Sequence, residues 1–328
     1  MNVTKTLLAL TALFLFASVA HANPDRWRIE GWKDTDFSQK SIEFSEILSG
    51  GPPKDGIPSI DKPKFEPLSK IKNLAETEPV IGLEINGKAR AYPIRILIWH
   101  EIVNDELGGV PVSVTYCPLC NSAVVFDRRV EGKVLDFGTT GKLRNSDLVM
   151  YDRQTESWWQ QFIGTGIVGE MTGVELKSIP ARLESFASFK KRFSNGDVLV
   201  PSNPNMRDYG RNPYFGYDKS TKPFLYRGDM PEGIEPMVRV VAFKDGGKPK
   251  AVALPLLVDK KKLMVGDVEL SWTEGQNSAL DDTQISKGRD VGNVVVRRKT
   301  AGGAEDLVYD VTFAFVVNAF HPGIDIIK

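Results

Sequence analysis

The sequence predicts a β-rich α+β protein in which two related strand-hairpin and helix units form one compact mixed body. Three observations carry this expectation. From residue 79 onward, alternating apolar runs broken by short Gly turns dominate, and only two stretches read as helices. The hairpin pattern VIGLEINGKARAYP (80–93) returns as VVAFKDGGKPKAVA (240–253). In the same order, VSVTYCPLCNSA (112–123) aligns without a gap to VELSWTEGQNSA (268–279), with Tyr116 on Trp272 and Asn-Ser-Ala closing both. In the second copy Cys117 and Cys120 become Thr273 and Gln276, which reads as a turn able to fold without cysteine.

The segments follow in order. Residues 1–22 have the layout of a secretory leader: Lys5, an apolar run from Leu7 to Ala20, and a small-x-small site at Ala20-His21-Ala22, with cleavage after Ala22. The run is shorter than the roughly 20 residues that span a bilayer. A periplasmic or secreted protein with no membrane span after cleavage is expected. Residues 23–78, interrupted by Gly50-Gly51-Pro52-Pro53 and Pro58, form an arm packed on the main body. Residues 79–200 are the first unit. Asn86-Gly87 marks a hairpin, PIRILIWHEIVNDELGG a helix from Pro93 to Gly108-Gly109, and PVSVTYC a strand. AVVFDRRVEGKVLDFG and LVMYDRQTESWWQQ read as further hairpins, and ARLESFASFKKRFSNG as a helix closed by Asn195-Gly196. Residues 201–238, rich in Pro, Gly, Asn and Tyr, read as an ordered loop over a site. Residues 239–328 are a second, degenerate unit.

Composition excludes several functions. With 42 basic and 42 acidic residues there is no general field for nucleic acid or an anionic membrane. A small molecule or a cell-envelope protein is the expected partner. Of 3 histidines one lies in the leader, leaving His100 and His321, too few for most His-based hydrolysis. GTTGKLRNSD (138–147) has two residues between Gly138 and Gly141-Lys142, where a phosphate loop needs four.

Chemistry centres on CPLC, which holds the only 2 cysteines. Strands on both sides remove the strand-to-helix setting of a thioredoxin motif. A disulfide between Cys117 and Cys120 would close a very short loop and stabilise little. Two thiolates at this spacing are the usual half of a tetrahedral metal site. His100 is the preferred third ligand, and copper or zinc the metals such a set would take. His321 and Met150 are weaker candidates. Arg144, Asn145, Ser146, Asp147, Trp158 and Tyr209 are candidates for a pocket wall. Two rival readings stay open: a metal-free thiol–disulfide oxidoreductase, and a non-enzymatic binding module with a structural disulfide.

HEIVND (100–105), TYCPLCNSAVVFDR (115–128), LRNSDLVMYDRQTESWWQQ (143–161) and RDYGRNPYFGYD (207–218) together resemble the family titled domain of unknown function 3179. The resemblance runs from about Pro79 to AFHPG (319–323). It implies a largely bacterial and archaeal, often exported set without an assigned activity. His100, Cys117, Cys120, Asn145, Ser146, Asp147, Trp158 and Tyr209 carry over as motif members.

Overall fold

A computed structural model describes residues 23–328. The leader lies outside the described residues, and no described helix is long and apolar enough to cross a membrane.

The first hairpin joins Pro79–Ile85 (β1) to Lys88–Pro93 (β2). Asn86 (φ 51°) and Gly87 (φ 75°) are both left-handed, as a two-residue turn with the strands' own twist requires. Helix α1 spans only Ile94–His100, with Pro93 as its cap rather than its first residue. The sequence predicts a helix running on to Gly108-Gly109. Instead Glu101 turns to φ 59°, ψ −32°, and Ile102–Leu107 forms β3, antiparallel to Val110–Cys117 (β4). Two β-branched residues begin that segment, and ladder pairing gives its amides partners a longer helix would have competed for. Ser122–Asp127 (β5) pairs on the other side of β4 and carries the short edge strand Ser178–Ile179 on its own outer edge.

A second sheet carries Phe137–Arg144 (β6), Asp147–Asp152 (β7) and Trp158–Gln160 (β8). Further on, the predicted helix over 181–196 divides. Arg182–Ser185 (β9) pairs with β1, and only Phe186–Arg192 (α2) is helical, capped by the Ser185 hydroxyl. Asp197–Val200 (β10) then runs parallel to β2.

The 239–328 segment contains Arg239–Asp245 (β11), Lys248–Ala253 (β12), Leu254–Lys260 (α3), Lys262–Val265 (β13), Val268–Thr273 (β14), Asn293–Thr300 (β15), Tyr309–Phe313 (β16), Ala314–Phe320 (α4) and Ile326–Ile327 (β17). Its sheet order β16-β11-β12-β17 has the form of β9-β1-β2-β10. Lys261 (φ 60°, ψ −28°) ends α3 as Glu101 ends α1. The Lys261 carbonyl accepts from Trp272 N (2.9 Å), as the Glu101 carbonyl does from Tyr116 N (2.8 Å). The likeness stops at the cysteines. After Cys117 the chain turns at once into β5, whereas after Thr273 it leaves the sheet and returns only at Asn293. Ser278 is drawn to Arg239 and Asp218 rather than into a strand. The gapless match of 274–279 therefore does not describe a shared turn.

The main core joins both halves, with Val114, Tyr116 and Phe126 packed in one cluster with Phe313 and Phe315. Near the start of the described residues, the rings of Trp27 and Trp32 lie 4.9 and 5.2 Å from that of Trp158. Trp158 is fully buried there, so it is no pocket wall. Trp159, on the opposite face of the strand, is equally buried against Phe137 and donates to Asp152 (2.9 Å).

The 201–238 loop is fixed by a buried ion cluster. Asp218 meets Arg239 (3.3 Å) and Arg289 (3.1 Å), and accepts from the Ser278 hydroxyl (2.6 Å). Asp218→Ala strands the buried Arg239 guanidinium, so a loss of about 3–5 kcal/mol is expected. Urea unfolding should show that loss, with faster proteolysis inside 201–238; an unchanged midpoint would show that the cluster does not anchor the loop.

Candidate functional site

The CPLC segment is a tight turn: Cys120 N donates to the Cys117 carbonyl (3.2 Å) and Asn121 N to that of Pro118 (3.2 Å). It is held from the far end of the chain. Thr312 Oγ1 donates to the Cys120 carbonyl (2.7 Å), Asn121 Nδ2 to that of Val311 (2.6 Å), and Ala123 N to Asp310 Oδ1 (2.9 Å). Both thiols are free and buried, and both lie near the Ser146 carbonyl, Cys120 Sγ at 3.6 Å and Cys117 Sγ at 3.9 Å.

That carbonyl is aimed by an unusual turn. Asn145 (φ 53°) and Ser146 (φ 65°) are consecutive left-handed non-glycine residues joining β6 to β7. The next residue, Asp147, brings a carboxylate oxygen to the thiols, so that Cys117, Cys120 and Asp147 present ligand atoms all within 4.8 Å of one another. Asp147 Oδ2 accepts from Gln160 Nε2 (2.7 Å) and Phe162 N (3.0 Å), while Oδ1 is buried without a partner.

Electrostatics sets this cluster apart. Burial raises the Asp147 carboxyl to about 6, only partly offset by its hydrogen bonds. Burial also pushes up both thiols, Cys120 the more strongly because Cys117 adds to it. Glu101, the left-handed residue after α1, is buried and raised to about 8 by burial and then by the charge of Asp147. It faces a cavity of about 400 Å³ that also reaches Leu119, between the cysteines, and Tyr214 and Tyr217 from the 201–238 loop.

The predicted site residues separate into those brought together and those not. Cys117, Cys120, Ser146 and Asp147 converge. His100 does not join them: Nδ1 lies 2.8 Å from the Pro58 carbonyl and Nε2 2.8 Å from Tyr209 Oη, so both ring nitrogens are engaged elsewhere. The third group beside the thiols is Asp147, and Tyr209 is His100's partner. Arg144 pairs with Glu46 (2.8 Å) and donates to Gln160 Oε1 (3.3 Å), behind Asp147 rather than at the thiols, and Asn145 lines a different cavity with Tyr226 and Asn318. Met150 is core, and His321 packs near Phe162. Glu101 was missed. Its signal was a glutamate directly after an apolar helical run, overshadowed by the neighbouring histidine.

Comparison with known proteins adds the family. The chain matches the profile described as protein of unknown function (DUF3179) over residues 54–324. It belongs to the DUF3179 family. No curated protein matches it, and neither does any solved structure. Across this DUF3179 chain, the chemistry of the site has to be read from its own residues.

Raised carboxyls fix the sign of a pH effect. An acid whose folded pKa lies above its unfolded value contributes stability present below the unfolded pKa and lost as pH rises through the folded one. For Asp147 that window runs from 3.8 to about 6, and for Glu101 from 4.5 to about 8. The protein without a bound ion should therefore lose stability between pH 4 and pH 8, Asp147 alone accounting for on the order of 3 kcal/mol. Urea midpoints across this range should show a shallower fall in Asp147→Asn and Glu101→Gln. Slopes identical to wild type would show that neither carboxyl is perturbed.

Proposed function

We propose that this DUF3179 member is an exported metal-binding protein in which Cys117, Cys120 and Asp147 hold one zinc-class ion. One observation carries the reading: Asp147 Oδ1 is buried with no N–H or O–H donor to it, and the two buried thiols stand beside this carboxyl. A buried carboxylate oxygen left unpaired costs free energy that a bound cation would recover.

The donor set favours zinc over copper. Two thiolates suit either metal, but a carboxylate is a hard ligand that zinc accepts and Cu(I) does not prefer. Gln160 and Phe162 N orient Asp147 through its other oxygen, as outer partners orient metal ligands. Three protein ligands leave a fourth position open, the arrangement of a site that exchanges water or substrate rather than of a closed structural site. Glu101, on the cavity wall, supplies an acid–base group near that position. When bound, the ion supplies Lewis acidity; the chain supplies orientation and proton transfer.

Burial weighs against thiol–disulfide exchange. Cys117 is 1% and Cys120 0% exposed, and burial raises both thiols, whereas reactive cysteines are accessible and acidified. Export rests on the leader layout of residues 1–22. The 239–328 segment is taken as a degenerate copy of 79–200, on its matching sheet order, that now braces the CPLC turn.

Elemental analysis of the protein expressed with its leader should give one zinc per chain, absent from Cys117→Ser/Cys120→Ser. Cobalt substitution should produce a thiolate-to-metal charge-transfer band that Asp147→Ala shifts. Gln160→Ala should weaken zinc by about 10–100-fold. Because ligation displaces protons from the thiols, zinc affinity should rise with pH. A metal-free protein with two titratable thiols would instead support redox exchange, and an inert disulfide would leave only a binding module.

A further inference from the structure

The cavity beside the thiols is specific in what it offers and what it withholds. Leu119, Leu143 and Leu148 form one side, and Tyr214, Tyr217 and Phe224 from the 201–238 loop the other. Two charged residues reach it. Lys142 ends its ammonium on Glu30 Oε2 (2.7 Å), so its charge is used outside the cavity. Tyr217 Oη already accepts from Phe224 N (3.1 Å). That leaves the Glu101 carboxyl and the Tyr214 hydroxyl as the polar side-chain groups at the wall without a hydrogen bond from the protein to offset their burial.

These contents select a ligand. An anion would find no free cation, since the Lys142 ammonium is held by Glu30. A sugar would lay several hydroxyls on leucine and aromatic carbon, and each buried hydroxyl without a partner is costly. A ring fits, because apolar and aromatic walls are the usual lining of small-molecule sites and about 400 Å³ accommodates a small substituted arene. Phe215 and Phe224, 63% and 52% exposed, stand on the lining at the mouth, where apolar surface left in water gains by being covered.

We propose that this cavity binds small aromatic compounds of the phenol class, with the ring between the leucines and the tyrosine-bearing loop and the hydroxyl hydrogen donated to Glu101. It goes beyond the metal reading above: the cavity is lined by Glu101 and by Leu119 and Leu148, chain neighbours of the centre, and not by its ligands. The binding geometry itself does not need the ion.

The test uses the mature full-length chain, zinc-loaded and zinc-stripped, with three probes: 4-ethylphenol, 4-ethylanisole, which lacks the donor, and 4-ethylbenzoate, which carries a charge. Amide-shift titrations should give saturable binding of the phenol, about tenfold weaker binding of the ether, and none of the benzoate. Glu101→Ala should bring the phenol down to the affinity of the ether while leaving the ether unchanged, a split that loss of fold would not produce. Phe224→Ser should weaken both neutral probes alike. Equal binding of phenol and ether, preference for benzoate, indifference to Glu101→Ala, or no binding by a folded protein would each overturn the proposal. Phenol selectivity in a chain that takes up no zinc would sink the metal reading and keep this one; stoichiometric zinc without phenol binding would do the reverse.

Discussion

Four acidic groups are gathered around one point with no basic side chain among the main influences on any of them. Cys117, Cys120, Asp147 and Glu101 are all buried, and each is pushed toward its neutral form chiefly by that burial. Elsewhere the chain treats buried acids differently. Glu78 meets Arg95, Asp105 meets Arg90, Glu184 meets Arg192, and Asp218 meets Arg239 and Arg289. A protein that pairs these buried acids with arginine, yet assembles four without one, holds a cluster that burial keeps near neutral and that a bound cation would let ionise. Burying charge without compensation is among the costliest arrangements open to a fold, and such perturbed groups concentrate at functional sites.

The rest of the architecture serves that assembly. Asn145 and Ser146 accept unfavourable backbone conformations to deliver Asp147. Glu101 is delivered by a left-handed turn that recurs at Lys261, so the strain there belongs to the helix-to-strand connection and only the side chain belongs to the site. The cysteine turn is braced by Asp310, Val311 and Thr312 of the second half, and the loop bearing Tyr214 and Tyr217 is tied there through Asp218.

Local rules made much of this legible. Asn86-Gly87 announced its hairpin because a left-handed pair joins such strands tightly, and the strand leading into CPLC and the β-rich character followed from alternation. Errors arose where tertiary pairing overrode a local signal. IVNDEL extends a helical pattern on paper but finds a ladder partner in β4. Ser278-Ala279 copy Ser122-Ala123 in letters only, because Ser278 is captured by Asp218. His100 attracted the ligand role by rarity, yet its ring is committed to Pro58 and Tyr209, residues no spacing rule connects to it. Asp147 was visible only as one member of a polar turn; its approach to the thiols depends on how two sheets stack.

The brace on the cysteine turn has a temporal side. The hydrogen bond from Thr312 to Cys120 spans 192 positions, and that from Asn121 to Val311 spans 190. Contacts so distant form late, after shorter loops have closed. Until β16 docks, both sulfurs belong to an incomplete turn, without the burial that the finished fold gives them. Enclosure of the thiol pair is thus tied to the docking of β16, and in an oxidising compartment the order of folding and oxidation decides whether an open pair or a bridged one is enclosed.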